Sequence, residues 1–80
     1  MPERQRPLLT PAQWLVLERL AQGDSNSAIA ASLGIALGTV ASHVRTIYQR
    51  VPQMPNGGKR AAAAAWYLTV GRALREQEAS

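Results

Sequence analysis

Apolar residues recur along this chain at spacings of three and four, which is the periodicity of an amphipathic α-helix. The first such segment opens with a helix-start signal. Thr10 can cap it, Pro11 takes the first helical position, and Gln13 stands where a capping box needs Glu or Gln. Its apolar face consists of Trp14, Leu17, Leu20 and Ala21. Because Gln22 and Gly23 end the pattern, we predict a first helix between Pro11 and this stop.

A second, shorter helix is predicted directly after the first. Ser25 followed by Asn26 is a second helix start, and Gly34 is a stop signal. Between them, Ile29 and Leu33 lie four residues apart on one face. The second helix is therefore expected to bury a narrow apolar stripe.

The third helix has the most regular pattern in the chain. We expect it to begin near Leu37 or Gly38 and to end before Pro52. Its apolar stripe has the spacing i, i+4, i+7 and i+11 and consists of Val40, Val44, Ile47 and Val51. The opposite face consists of Ala41, Ser42, Arg45 and Gln49, with Thr46 near its edge.

A fourth helix and two irregular segments complete the organisation. Residues 52–58 have the composition of a loop, and five consecutive alanines favour a helix from Lys59 to about Gln77. Residues 1–8, with two prolines and three charges, are predicted to be a flexible lead. Since no strand pattern appears, we predict one all-α, four-helix domain over residues 9–78.

Basic residues are concentrated in one part of the sequence. The chain has nine Lys or Arg and five Asp or Glu, and no acidic residue lies between Ser25 and Arg75. The basic residues of that stretch are Arg45, Arg50, Lys59, Arg60, Arg72 and Arg75. A basic, acid-free stretch suits a polyanion-binding surface, because a carboxylate there would repel phosphate. The charge alone is explained equally well by a solvated basic face.

Composition argues against several other classes of protein. The chain has no cysteine, one histidine and no phosphate-cradling glycine motif, so we expect no enzyme, no cofactor and no metal site. The longest apolar run, Ala61 to Leu68, is far shorter than the ~20 residues of a membrane span. The N-terminus leads into no long apolar segment. We therefore expect a cytoplasmic protein with no membrane partner.

The second and third helices satisfy a specific spacing test for a helix-turn-helix. The turn needs a glycine, because its backbone angles are unusual. Four residues before the glycine, the first helix needs a small side chain where the second helix crosses it. Six residues after the glycine, the second helix needs a branched apolar side chain that packs against the first. Ala30, Gly34 and Val40 meet these three requirements. One match is common, but the set with its spacing favours a helix-turn-helix.

Three stretches of the chain resemble the LuxR-type DNA-binding domain of bacterial regulators (the FixJ/NarL-type family). They are Leu9 to Gly23, Ser25 to Ile35 and Gly38 to Arg50, and the Thr-Val and His-Val pairs of the third stretch are the most specific part. The resemblance implies a four-helix domain that binds DNA through its third helix and dimerises through its fourth. It also implies a bacterial transcription regulator that associates with the nucleoid when bound to DNA.

The outward face of the third helix supplies the predicted base contacts, which are Ala41, Ser42, Arg45 and Gln49. Arg45 can form a bidentate contact with guanine in the major groove, and Ser42 can donate or accept at a base edge. Ala41 can contact only a thymine methyl group. A solvated surface arginine is the plain alternative for Arg45.

Helix N-termini and basic residues supply the predicted phosphate contacts. Free amide donors at the start of a helix favour anions, and basic side chains can extend the phosphate track. The residues concerned are Asn26, Ser27, Thr39, His43, Thr46, Arg50, Lys59 and Arg60. For His43, packing within the domain is the alternative explanation.

The fourth helix has more apolar residues than three short helices can bury. Its alanine run offers a face of little bulk where another helix can approach closely, and Trp66 and Val70 share a face. We therefore predict a homodimer interface that consists of Ala62, Ala65, Trp66, Thr69, Val70 and Ala73.

Two departures from the family pattern leave alternatives open. The Thr-Val pair is usually followed by a DNA-contacting lysine, where this chain has Ala41. The domain could therefore be an interaction module that pairs with and modulates another regulator, or contacts RNA polymerase. The C-terminal part of sigma factors, which reads promoters, is an alternative family with a similar fold.

Leu37 stands where the family is usually polar, and it could contact a base step, contact a protein partner or fold back on the domain.

Overall fold

The computed structural model describes residues 8–52 and 58–79, and every regular element in these ranges is helical. The elements are α1 (Pro11–Ala21), α2 (Asn26–Leu33), α3 (Leu37–Arg50), α4 (Lys59–Trp66), a π-helical segment (Tyr67–Gly71) and α5 (Arg72–Ala79). The last three follow one another without a break and are called the C-terminal helix below. The predicted all-α, four-helix architecture is confirmed. Residues 1–7 of the predicted lead and residues 53–57 of the predicted loop lie outside the described residues.

The start of α1 is fixed by the predicted capping box. The Thr10 hydroxyl accepts a hydrogen bond from the Gln13 amide at 3.2 Å, and the Gln13 side chain accepts one from the Thr10 amide at 3.0 Å. Leu9 and Trp14, on either side of the cap, are both buried. The reciprocal bonds satisfy two amides that a helix N-terminus otherwise leaves without partners.

A glycine turn sets the angle between α2 and α3. Ser25 caps α2 through a 3.1 Å hydrogen bond from the Ala28 amide. Gly34 ends α2 with φ of +67°, a left-handed conformation that a Cβ atom disfavours. The axes of α2 and α3 then differ by 114°, within the range of a helix-turn-helix. The predicted turn is confirmed.

The core forms where α1 meets the other helices. α1 packs against α2, α3, α4 and the π-helical segment, while α3 also packs on α2 and α4. From α3 the core receives the predicted apolar stripe, which is buried along its whole length. The remaining buried residues of the cluster are Leu9, Trp14, Val16, Leu17, Leu20, Ile29, Ala63 and Tyr67. None of the described polar or charged residues is fully buried, so the core is held together by apolar packing.

The C-terminal helix closes over α1 through aromatic contacts. The rings of Trp14 and Trp66 stack with their centroids 6.1 Å apart and an interplanar angle of 13°. The centroid of the Tyr67 ring lies 6.2 Å from that of Trp14. Gly71 is buried beside the Trp66 ring, where an added Cβ would lie 2.7 Å from the Trp66 Cζ3 atom. The predicted fourth helix is confirmed, and its π-helical segment is a feature that the alanine-rich sequence does not signal.

Polar contacts hold α5 against α1. The Glu78 carboxylate accepts hydrogen bonds from the Leu8 amide at 2.9 Å and from the Trp14 indole N–H at 3.2 Å. Arg75 donates to the Tyr67 hydroxyl at 3.0 Å and lies 3.5 Å from the Glu18 carboxylate. Leu8, which falls in the predicted lead, is therefore half-buried and bonded to the last turn of the chain. The boundary at residue 9 stays a prediction.

Candidate nucleic-acid interface

The face of α3 that points away from the core is exposed over its whole length. All four predicted base contacts lie on it and are exposed, namely Ala41, Ser42, Arg45 and Gln49. The apolar stripe on the other side of α3 fixes the rotation of the helix, because Val40 and Ile47 are fully buried against α1 and α2. The structure therefore brings the predicted base contacts together on one outward surface, called the α3 face below.

Four of the predicted phosphate contacts lie along one side of the α3 face. Thr39, His43, Thr46 and Arg50 follow one another at spacings of four, three and four, which places them on one side of the helix. Thr39 and Arg50 are exposed, and His43 and Thr46 are half-buried. The Arg50 guanidinium donates to the Leu8 carbonyl oxygen at 3.4 Å from an exposed position.

The other predicted phosphate contacts lie at the N-termini of α2 and α4. Ser27 and Lys59 are exposed. Arg60 bridges the two helix starts, because its guanidinium donates to the Asn26 side-chain oxygen at 2.9 Å and to the Asp24 carbonyl. Asn26 and Arg60 are thus bonded to each other, which their positions 34 residues apart do not indicate. Sequence reasoning missed this bridge, because it is formed by tertiary packing alone.

The charges on this side of the molecule are basic. Arg45 and Lys59 are exposed, and α2, α3 and α4 contain no acidic residue. Of the described carboxylates, Glu18 faces Arg75 and Glu78 bonds to Trp14, both on the side where α1 meets the C-terminal helix. Asp24, by contrast, lies just before α2, so the carboxylates are absent from the α3 face itself but not from its surroundings.

Residues 7–52 match the family model described as bacterial regulatory proteins, luxR family. The match spans α1, α2 and α3, which is more than half of the 80-residue chain. The chain belongs to the LuxR family. It is a DNA-binding transcription regulator of the helix-turn-helix class. No match was found among curated proteins or among solved structures.

The helix pair of this LuxR-family domain also bears on a membrane assignment. No single helix in residues 8–52 or 58–79 is long and apolar enough to cross a membrane. The one pair that passes by length and composition, α2 with α3, is bent by 114° at its break. That bend is the helix-turn-helix itself.

The structure divides the predicted dimer residues into two groups. Ala62 is buried within its own chain, and Trp66 is half-buried and stacked on Trp14, so the fold already provides contacts for both. The remaining four are exposed on the C-terminal helix and are Ala65, Thr69, Val70 and Ala73. Leu68, which the prediction left out, is 51% exposed between them. Four of the six predicted dimer residues are therefore open to a second chain, and their role in a dimer stays a prediction.

Leu37 extends the α3 face at its N-terminal end. Its side chain is 53% exposed, so it does not fold back on the domain. The sequence does not signal this exposure, because Leu37 precedes Val40 by three residues and Val44 by seven, a spacing that predicts a place in the buried stripe.

Proposed function

We propose that this LuxR-family chain is a sequence-specific transcriptional regulator that binds a two-fold-related DNA site as a homodimer. One observation carries the proposal. Arg45 stands exposed in the middle of the α3 face, and among the described residues its guanidinium has no hydrogen bond or ion pair. Arg50, Arg60 and Arg75, by contrast, donate to groups of their own chain, and the other two described arginines without such a bond, Arg19 and Arg72, lie on α1 and α5. A free guanidinium on a recognition helix is suited to bidentate contact with guanine O6 and N7.

In this proposal α3 lies in the major groove. Helix-turn-helix proteins place the N-terminal part of the second helix of the motif against base edges. Ala41 and Ser42 lie in one turn and Arg45 in the next, and Gln49, one turn further on, can contact adenine or a phosphate. In this proposal a small number of side chains recognise the DNA sequence.

Phosphate contacts on both sides of the groove supply most of the affinity in this proposal. Thr39, His43, Thr46 and Arg50 face one strand from the side of α3 on which they lie. Asn26, Ser27, Lys59 and Arg60 lie at the helix starts that the Arg60 bridge joins. Amides at helix N-termini and basic side chains position the protein on the duplex without reading its sequence.

Dimerisation through the C-terminal helix would place two α3 faces on one side of the DNA. Leu68 and Val70 are about half exposed, and Ala65, Thr69 and Ala73 beside them allow close approach of a second helix. Recognition helices about 34 Å apart would enter successive major grooves. A cytoplasmic regulator that associates with the nucleoid follows from this proposal.

A second candidate function rests on two specific features. Ala41, on the α3 face, has no group that can bond to a base or a phosphate, and Leu68 and Val70 are exposed on the C-terminal helix. These features support an interaction module that pairs with another regulator or RNA polymerase. Arg45→Ala weakens DNA binding in the first proposal and leaves partner binding unchanged in the second. Val70→Asp abolishes partner binding in the second proposal, and in the first it disrupts the homodimer, so only Arg45→Ala separates the two.

Selection from random DNA tests the proposed function. The protein is incubated with randomised duplex DNA at near-physiological salt, and the retained duplexes are sequenced. We expect enrichment of an inverted repeat, because two α3 faces related by a two-fold axis read the same half-site twice. Retention without enrichment would contradict sequence-specific reading, and no retention would contradict DNA binding as a whole.

A further inference from the structure

Leu37 is an exposed leucine at the end of the recognition helix that approaches DNA first. It is the most exposed of the four large apolar side chains that the described residues leave in solvent. The others are Leu15 at 41%, Leu68 at 51% and Val70 at 52%, and none of them lies on α3. The fold gains little from Leu37, because its side chain is outside the core cluster.

Leu37 is continuous with the residues proposed to contact bases. Ala41 follows it by four residues and Arg45 by eight, so the three side chains form a row along one side of α3. The first two members of this row are apolar and the third is a free cation. Leu37 is 53% exposed, and no described residue lies within 4 Å of the Cβ position of its neighbour Gly38.

A duplex major groove offers one apolar feature that matches this row. Among the base edges in that groove, only thymine presents a methyl group, at C5, and the other edges present hydrogen-bond donors and acceptors. Phosphates flank the groove, and α3, which has two arginines and no acidic residue, is complementary to them. The row is part of the α3 face, so a duplex that covers Arg45 also covers Ala41 and Leu37.

We propose that Leu37, together with Ala41, reads thymine by contact with its C5 methyl group, and so determines specificity at the end of the half-site that Arg45 does not reach. This inference rests on the proposed function, because it assigns a base preference to the same recognition helix. Each half-site then combines a guanine opposite Arg45 with one or more thymines opposite the apolar end of the row.

Replacement of thymine by deoxyuridine tests the assignment directly, since it removes only the C5 methyl group. The probe is the most enriched duplex from the random selection, synthesised with deoxyuridine at each thymine position in turn, in both half-sites. At the contacted position we expect the dissociation constant to rise about fourfold for each methyl group lost. Deoxyuridine at positions outside the reach of α3 should change it less than about twofold.

A double-mutant cycle identifies the residue that reads the methyl group. Leu37→Ala should weaken binding to the thymine duplex, and the penalty for deoxyuridine at the contacted position should then fall below about twofold. Leu15→Ala is the matched control, an exposed leucine on α1 whose loss should leave the deoxyuridine penalty unchanged. Thermal unfolding of both variants should match the wild type, because neither side chain is in the core.

The outcomes separate this inference from the proposed function. A deoxyuridine penalty that depends on Leu37 supports it. An enriched site that tolerates deoxyuridine at every position, or a penalty that persists in Leu37→Ala, overturns it and leaves sequence-specific binding intact. Retention of DNA without any enriched site overturns it together with sequence-specific reading. Absence of DNA binding removes both proposals.

Discussion

Gly71 has no side chain, and this allows the Trp66 ring to pack against the C-terminal helix. It is buried against the Trp66 ring, and that ring is stacked on Trp14. An added Cβ would lie 2.7 Å from Trp66 Cζ3 and 3.2 Å from Tyr67 Cδ1. From the sequence alone, Gly71 is a mild weakness in a helix, whereas the structure shows that its lack of a side chain leaves room for the aromatic stack.

Gly71→Ala is therefore expected to destabilise the domain. The gain in helix propensity is up to about 1 kcal/mol, and overpacking against a ring held by its stack costs about 1–3 kcal/mol. We expect a net loss of about 1 kcal/mol in the free energy of unfolding, measured by urea denaturation, with a changed near-ultraviolet circular dichroism signal from the tryptophans.

Gly38→Ala is the matched control for this prediction. Gly38 lies in α3 with open space around the Cβ position, so the same substitution should stabilise the domain by about 0.5–1 kcal/mol. If Gly71→Ala were as stable as the wild type with an unchanged tryptophan signal, the tight packing of Trp66 on Gly71 would be wrong.

Residues whose partners are close in sequence could be predicted, and those with distant partners could not. Thr10 and Ser25 cap their helices as predicted, because a cap bonds to an amide within three residues. Spacing predicts Trp66 on a dimer surface, which stays a prediction, and gives no sign of its stack on Trp14, 52 positions earlier. Nothing in local periodicity distinguishes an aromatic residue that faces a second chain from one that faces a distant helix of its own.

Arg60 connects two secondary-structure elements. Its guanidinium joins the start of α4 to the start of α2 through the Asn26 side chain and the Asp24 carbonyl. Both helix N-termini belong to the proposed phosphate-binding surface. The bridge therefore fixes their relative position before any DNA is bound.

Removal of the Arg60 bridge should lower the stability of the domain, because the starts of α2 and α4 lose this contact. Arg60→Met keeps most of the side-chain volume but removes both hydrogen bonds, and we expect the free energy of unfolding to fall by about 1–2 kcal/mol. Arg60→Lys keeps the charge but not the planar, two-pronged donor, so it should recover only part of this loss.

Lys59→Met is the control for the Arg60 variants. Lys59 is the neighbouring residue, is exposed and has no hydrogen bond among the described residues, so its replacement should change stability by less than about 0.5 kcal/mol. Equal unfolding free energies for Arg60→Met and Lys59→Met would show that the bridge contributes nothing.

The sequence predicted the positions of the helices better than the contacts between them. The four helices lie where periodicity and stop signals placed them, and the outward face of α3 follows from its apolar stripe. The Arg60 bridge from α4 to the start of α2 was not predictable, because Arg60 and Asn26 are 34 positions apart in the sequence. The π-helical segment has no local signal either, since the Trp66 ring against Gly71 is a packing feature.

The described acidic residues all lie outside α2, α3 and α4. Glu78 accepts hydrogen bonds from Leu8 and Trp14 where α5 meets α1, Asp24 lies just before α2, and the α3 face has no carboxylate. Such a distribution favours binding that is dominated by phosphate contacts. The affinity for DNA should then fall steeply as salt rises, because each neutralised phosphate releases counterions.

Lys59→Ala tests this electrostatic account. The logarithm of the binding constant should fall linearly with the logarithm of salt concentration, with a slope of about −0.9 for each phosphate neutralised. Removal of Lys59 should make the slope shallower by about 0.9 for each protomer bound. Ser27→Ala, which removes a neutral contact, should lower the affinity and leave the slope unchanged. A salt slope that is the same in Lys59→Ala and the wild type would exclude a phosphate contact at this residue.

If the α3 face reads DNA, Arg45→Ala must lower the affinity for the selected duplex. Fluorescence anisotropy at near-physiological salt compares this variant with the wild type and with Arg72→Ala, which removes an exposed arginine from α5. The account predicts binding about tenfold weaker for Arg45→Ala, since a bidentate guanine contact is lost. Arg72→Ala should remain within about twofold of the wild type. Wild-type affinity in Arg45→Ala, or an equal loss in both variants, would contradict the claim.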